Sequence, residues 1–252
     1  MKNLQQRTII IALLILLSQI TFAQSKVKVG VSMGPVFPLG SFSSTNNNSL
    51  SAGYSETGFN LAIDADYFLH NRFALSAKLF FGTTTIDADA FSVRLNNELA
   101  AYMNLKNSEN KVNYDINYWQ WSSPLVGAKY NYPISINKIY VEVGAYSGVN
   151  FTQIPDQNLS YLDSENSREI ISQNDTDKDI SIPLSITCGV RFKINEKMQL
   201  RFNADYFYTK ANYSHVNYIK GENANKREEI SVEQFSVPIQ TISATVGLVY
   251  VL

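Results

Sequence analysis

The chain predicts an all-β fold: an eight-stranded antiparallel up-and-down transmembrane β-barrel with four long external loops and short periplasmic turns. Three observations predict it. Apolar residues recur every second position in eight segments, short and long connections alternate along the chain, and no segment past the first 23 residues carries a 3.6-residue apolar period. The abundance of Tyr, Phe, Val, Ile, Asn and Ser favours strands separated by polar loops.

The first half holds four of these segments. Val27, Val29, Val31 and Met33 alternate with Lys28, Gly30, Ser32 and Gly34. Phe59, Leu61, Ile63, Ala65, Tyr67 and Leu69 alternate with Asn60, Asp64 and Asp66. Phe73, Leu75, Ala77, Leu79 and Phe81 alternate with Ser76, Lys78 and Gly82. A fourth strand runs from about Tyr118 to Tyr132, with Val126, Ala128 and Tyr130 on one side. In the second half, Ile139 to Phe151, Ile180 to Phe192, Leu200 to Tyr208 and Ile242 to Leu252 repeat the pattern.

His70 to Arg72, Asn131 to Lys138 and Lys193 to Lys197 are short joins. Gly40 to Ser55, Thr85 to Lys111, Thr152 to Lys178 and Lys210 to Glu233 are long polar connections. Short periplasmic turns and long external loops give a membrane barrel this asymmetry, whereas soluble domains seldom carry loops of such length. Eight strands starting from the periplasm leave both termini on the periplasmic side. Pro124, Pro183 and Pro238 each stand where a strand leaves a long loop, a place where the missing N–H is tolerated.

Residues 1–23 read as a signal peptide. Lys2 and Arg7 form the basic region, Thr8 to Leu17 the apolar run, and Thr21-Phe22-Ala23 the small-residue cut site ahead of Gln24. The apolar run is shorter than the roughly 20 residues a spanning helix needs, and no cysteine follows it to carry a lipid anchor. Residues 24–252 are then a single barrel domain, exported to the bacterial outer membrane. With 21 Lys+Arg against 22 Asp+Glu, the net charge of -1 excludes a nucleic-acid partner. The single cysteine, Cys188, excludes an internal disulfide and Cys-rich zinc sites.

In lipid the apolar rows face outward, which turns the polar rows inward. The inward set contains Lys28, Asp64, Asp66, Lys78, Lys129, Glu142, Arg191, Arg201 and Asp205, five cations and four anions. An eight-stranded barrel is filled by side chains, so these charges are expected to pair across a plugged interior. Aromatic residues form two interfacial girdles. Tyr67, Phe73, Tyr130, Tyr132, Phe192 and Tyr250 lie at the turn end, and Phe37, Phe59, Phe81, Trp119, Trp121, Phe151 and Tyr208 at the loop end.

The final residues, Gly247 to Leu252, resemble the C-terminal signal of outer-membrane barrels: a glycine, an aromatic residue (Tyr250) and a terminal apolar residue. Leu252 stands where phenylalanine is commoner. This resemblance implies the assembly machinery as a partner, beside outer-membrane lipid and an unidentified partner of the external loops. Residues 26–252 resemble the outer-membrane β-barrel domain family common in Bacteroidetes, often labelled PorT-like or porin-family. Val29-Gly30-Val31, Pro124-Leu125 running to Lys129-Tyr130, and Tyr140-Val-Glu142-Val-Gly144 carry the likeness. It implies fold and location, not a ligand or an activity.

No catalytic, cofactor or metal set is expected. His70 sits in a short turn. Ser214 and His215, with Glu222 nearby, are adjacent, so on a strand their side chains diverge. Asp163, Glu165, Glu169, Asp175, Asp177 and Asp179 make the third loop acidic, without the glycine and spacing of a calcium loop. Gly30, Gly34, Gly144 and Gly148 occupy alternate strand positions, where they relieve crowding in a narrow barrel. The expected function is therefore non-enzymatic, exerted structurally or through the external loops. Other readings are a component of a secretion or envelope-assembly system, a small diffusion pore, an outer-membrane hydrolase working through His215, and a soluble lipocalin-like barrel with inverted faces.

Overall fold

The computed structural model describes residues 27–46, 51–91, 93, 113–116, 118–135, 138–155, 157–163, 168–174, 178–220 and 227–252. The expected signal peptide lies outside the described residues. Among the described residues thirteen strands form one sheet: β1 (Val27–Pro38), β2 (Ser55–His70), β3 (Phe73–Ile86), β4 (Asn113–Ile116), β5 (Trp119–Ser135), β6 (Ile139–Gly148), β7 (Asn150–Gln153), β8 (Gln157–Asp163), β9 (Arg168–Asn174), β10 (Lys178–Ser181), β11 (Leu184–Lys193), β12 (Met198–Lys220) and β13 (Arg227–Val251).

Eight of these strands close a ring through antiparallel neighbours, in the order β1-β2-β3-β5-β6-β11-β12-β13 and back to β1. Its stagger can be read from the register. Starting at Lys28, successive partners are Asp66, Ser76, Gly127, Tyr146, Ser185, Phe207 and Thr241. The walk returns to β1 at Pro38, ten residues beyond its start (38 − 28). With strands about 4.8 Å apart and a rise of about 3.3 Å per residue, that stagger tilts the strands by about 41° and sets a backbone radius of about 8 Å.

The two faces of the wall differ as alternation requires. Leu75 is 51% exposed, Val143 47% and Ile186 43%, and the outward rows of every ring strand are similarly bare. Among the predicted inward charges, all but Lys28 are buried, and Lys28 is half-buried. A soluble barrel with oily rows inside is therefore not what the chain forms: so much bare apolar surface suits hydrocarbon, not water.

Two of the four long connections read as external loops, the third and the fourth, carry strands. β12 and β13 continue past the ring as one hairpin paired from Tyr208↔Gln240 out to Lys220↔Arg227. On its other side β12 pairs with β9 from His215 to Lys220. β9 pairs with β8, and β8 with β4. The third and fourth connections thus form a sheet above the ring, because backbone N–H and C=O groups leaving a paired strand are most readily satisfied by continuing the ladder. Pro238 consequently lies inside β13, not at a strand start. It sits opposite Lys210, beyond the last β1–β13 pair at Pro38↔Thr241, so its missing N–H costs no bond to β1. The first connection turns inward through a 3-10 turn at Gly40–Phe42.

Replacing Leu75, Val143 or Ile186 with Lys places a charge on the lipid face. Each change is expected to destabilise the inserted barrel by about 2–4 kcal/mol at the bilayer midplane, falling toward the interfaces. Urea-dependent folding into phosphatidylcholine vesicles, read on a heat-modifiability gel, measures it.

Candidate functional site

The lumen is built in two halves of different chemistry. The periplasmic half is ionic. Lys129 Nζ lies 2.9 Å from Asp66 Oδ2 and 3.3 Å from Asp64 Oδ2. Arg201 grips both oxygens of Asp64, with Nη1 2.9 Å from Oδ2, and reaches Glu142 Oε1 at 3.9 Å. Arg191 Nε stands 3.2 Å from Glu142 Oε2, and its guanidinium donates to Asn131 Oδ1. Lys78 Nζ lies 2.5 Å from Asp205 Oδ1, which also accepts from the Thr187 hydroxyl at 2.5 Å. The Ser76 hydroxyl donates to Asp66 at 2.6 Å.

These partners come from different strands, so the lattice ties β2, β3, β5, β6, β11 and β12 together across the barrel. Lys28, the fifth cation, forms no ion pair among the described residues; its ammonium sits over the Phe68 ring at 4.5 Å and the Tyr140 ring at 5.7 Å. Ring faces are weakly negative and offset part of its desolvation. Gly30 makes room for the Arg201–Asp64 pair: a Cβ there would lie 2.8 Å from Arg201 Nη2 and 3.0 Å from Asp64 Oδ1.

The loop-side half is apolar. Val36, Phe42, Phe80, Trp119, Trp121, Leu125, Phe207, Val237 and Ile239 form one buried cluster. Phe42, carried in by the first connection, meets Trp119 edge-on at 5.6 Å and Trp121 at 6.1 Å. Trp121 stacks on Phe207 and Phe207 on Phe80. Trp119 donates its indole N–H to Gly53 O at 3.0 Å, fastening the first connection across the mouth. Beside it Tyr54 packs on Phe91 at 5.3 Å. This plug corrects the girdle expectation for Trp119 and Trp121, which are 1% and 3% exposed. Both share strand parity with Lys129, so an unbroken count along β5 places them inside. The other expected girdle aromatics do lie on the outer wall.

The remaining sequence candidates are dispersed. Gly247 lies opposite Ser32 and Arg201 on the inner face, where a Cβ would come within 2.3 Å of Val31 O; Tyr250 and Leu252 face outward. His70 ends β2, and the backbones of Ser214 and His215 belong to β12, opposite Gln234 and Glu233. Glu165, Asp175, Asp177 and Glu222 lie outside the described residues. The Asp179 carboxylate accepts from Asn212 N at 2.8 Å. Among the described residues no three His, Cys, Asp or Glu side chains gather as a metal site.

Lys129→Met strips Asp64 and Asp66 of a shared counter-charge. It is expected to cost about 3–5 kcal/mol, with part recovered when both carboxylates become amides, measured by reversible urea unfolding in micelles. Gly82→Val drives a side chain into Trp121, whose Cε2 lies 2.2 Å from an ideal Cβ. An overpacking loss of about 1–3 kcal/mol is expected. The chain's two tryptophans both lie in the plug, so indole fluorescence should red-shift with it.

No curated protein matches the chain. Among solved structures, Neisserial surface protein A is 14% identical with a TM-score of 0.42, covering 90% of this chain and 98% of that one. The Pseudomonas aeruginosa outer membrane protein OprG is 14% identical with a TM-score of 0.44, covering 90% and 96%. A major outer membrane protein from Thermus thermophilus is 15% identical with a TM-score of 0.43, covering 89% and 98%. A family model described as an outer membrane protein beta-barrel domain matches residues 9–247, and the chain belongs to that family.

Proposed function

We propose that this protein is a non-conducting, non-enzymatic outer-membrane barrel that acts through the sheet it raises above the membrane. The filled lumen carries this reading. The ionic lattice occupies the periplasmic half and the Phe42–Trp119–Trp121 plug the other, so the interior supports neither a continuous aqueous path nor a ligand chamber. The surface left for partners is the extension formed by β12, β13, β9, β8 and β4. β4 pairs only with β8 among the described residues, leaving one edge for an extended partner segment.

Two measurements test the reading together. In planar bilayers the intact protein is expected to show no discrete conductance steps; steady channels would overturn it. On the surface of a host lacking it, the intact chain is expected to promote cell–cell aggregation or attachment to matrix-coated surfaces. A variant lacking residues 214–234 should remain heat-modifiable and lose that property. Equal attachment with and without the segment would remove the external sheet from the function.

A further inference from the structure

The outer wall carries a trough near the loop end, on the face that the fold turns toward lipid. Its volume is about 640 Å³, within the range of roughly 300–1,000 Å³ typical of ligand sites. The register resolves it into two rows of directly opposed residues. One row reads Leu61, Phe81, Ser122, Phe151, Ile180 across β2, β3, β5, β7 and β10. The next row, one step closer to the external side, reads Phe59, Thr83, Gln120, Gln153, Lys178. The first row is apolar except at its centre, where Ser122 leaves a notch between Phe81 and Phe151. Beyond Phe59 the second is a polar shelf that ends in a cation, and Lys178 is exposed.

This order matches an amphiphile whose chain lies toward the membrane centre and whose head points outward. We propose that the trough binds the phosphorylated glycolipid of the outer leaflet, lipid A. An acyl chain would lie in the notch over Ser122. The sugar would meet Thr83, Gln120 and Gln153, and a phosphate would meet Lys178. Three features support this occupant. The site lies on the external side, because the long connections mark that end. Three neutral hydrogen-bonding side chains beside the Lys178 cation, with the neighbouring Asp179 carboxylate already engaged by Asn212 N at 2.8 Å, suit a sugar phosphate better than a small zwitterionic head. The apolar walls are continuous with the surface already in contact with hydrocarbon, and Ile180 stands 68% exposed at the rim.

Native mass spectrometry of the purified barrel in dodecyl maltoside, titrated with lipid A, tests the assignment. The intact protein is expected to hold one lipid A. Ser122→Trp, which fills the notch from outside without touching the lumen, should abolish the adduct. Lys178→Glu should weaken it about tenfold, the loss expected of one charge-assisted contact. Leu75→Trp, on the same face but at the periplasmic end, should bind as the parent does. Heat modifiability reports folding for each variant. The proposal is overturned if Ser122→Trp retains the adduct, if dephosphorylated lipid A binds equally, or if phosphatidylglycerol binds as tightly.

Discussion

Hydrocarbon offers no hydrogen-bond partner to a peptide group, and the rest of this structure follows from that single constraint. A sheet in such a solvent cannot leave an edge, so the eight strands must close. Closure with a ten-residue stagger fixes a narrow lumen, and a narrow lumen must be filled by side chains. Since the oily rows are claimed by the lipid, the filling comes from the polar rows. The interior charges are thus a consequence of closure, and their pairing is the condition under which closure is tolerable.

The ionic lattice acts on register more than on stability. A buried ion pair roughly breaks even against apolar packing, so Lys129 between Asp64 and Asp66 adds little net free energy. A one-residue slip of β2 is another matter, because it would expose both aspartates to hydrocarbon and bring Leu61, Ile63 and Ala65 into the lumen. With partners on six strands, the lattice penalises such slips across most of the periplasmic half. The loop-side half has no such lattice. There the first connection supplies Phe42, and its contact with two tryptophans holds the mouth shut through area and shape.

Most of the ring was legible from alternation alone, because parity is a long-range constraint inside each strand. Once Asp64, Lys78 or Arg191 is assigned inward, every second neighbour follows. Local rules are weaker than parity. Proximity to a strand end puts Trp119 and Trp121 in the girdle, whereas their even spacing from Lys129 puts them in the lumen, where they lie. The external sheet was illegible for a different reason. Its strands lie beyond the ring that hydrocarbon surrounds, so the period-two signal that hydrocarbon imposes on the wall is weak in segments such as Arg168–Asn174. What forms them is the continuation of a ladder already begun, a property of the neighbouring strand and not of the segment itself.

The plug and the trough are two sides of one arrangement. β5 places bulk inside and little outside: Trp119 and Trp121 inward, Gln120, Ser122 and Pro124 outward. Its neighbours do the reverse at the same level. Trp121 is flanked across the ladder by Gly82 and Thr152, while Ser122 is flanked by Phe81 and Phe151. Inside, the small neighbours let the indole lie across the lumen, and a Cβ at Gly82 would collide with it. Outside, the large neighbours stand either side of a serine and leave a notch. A wall only one residue thick cannot place a large side chain on both faces of the same position. The residues that seal the lumen therefore also shape the surface offered to the lipid.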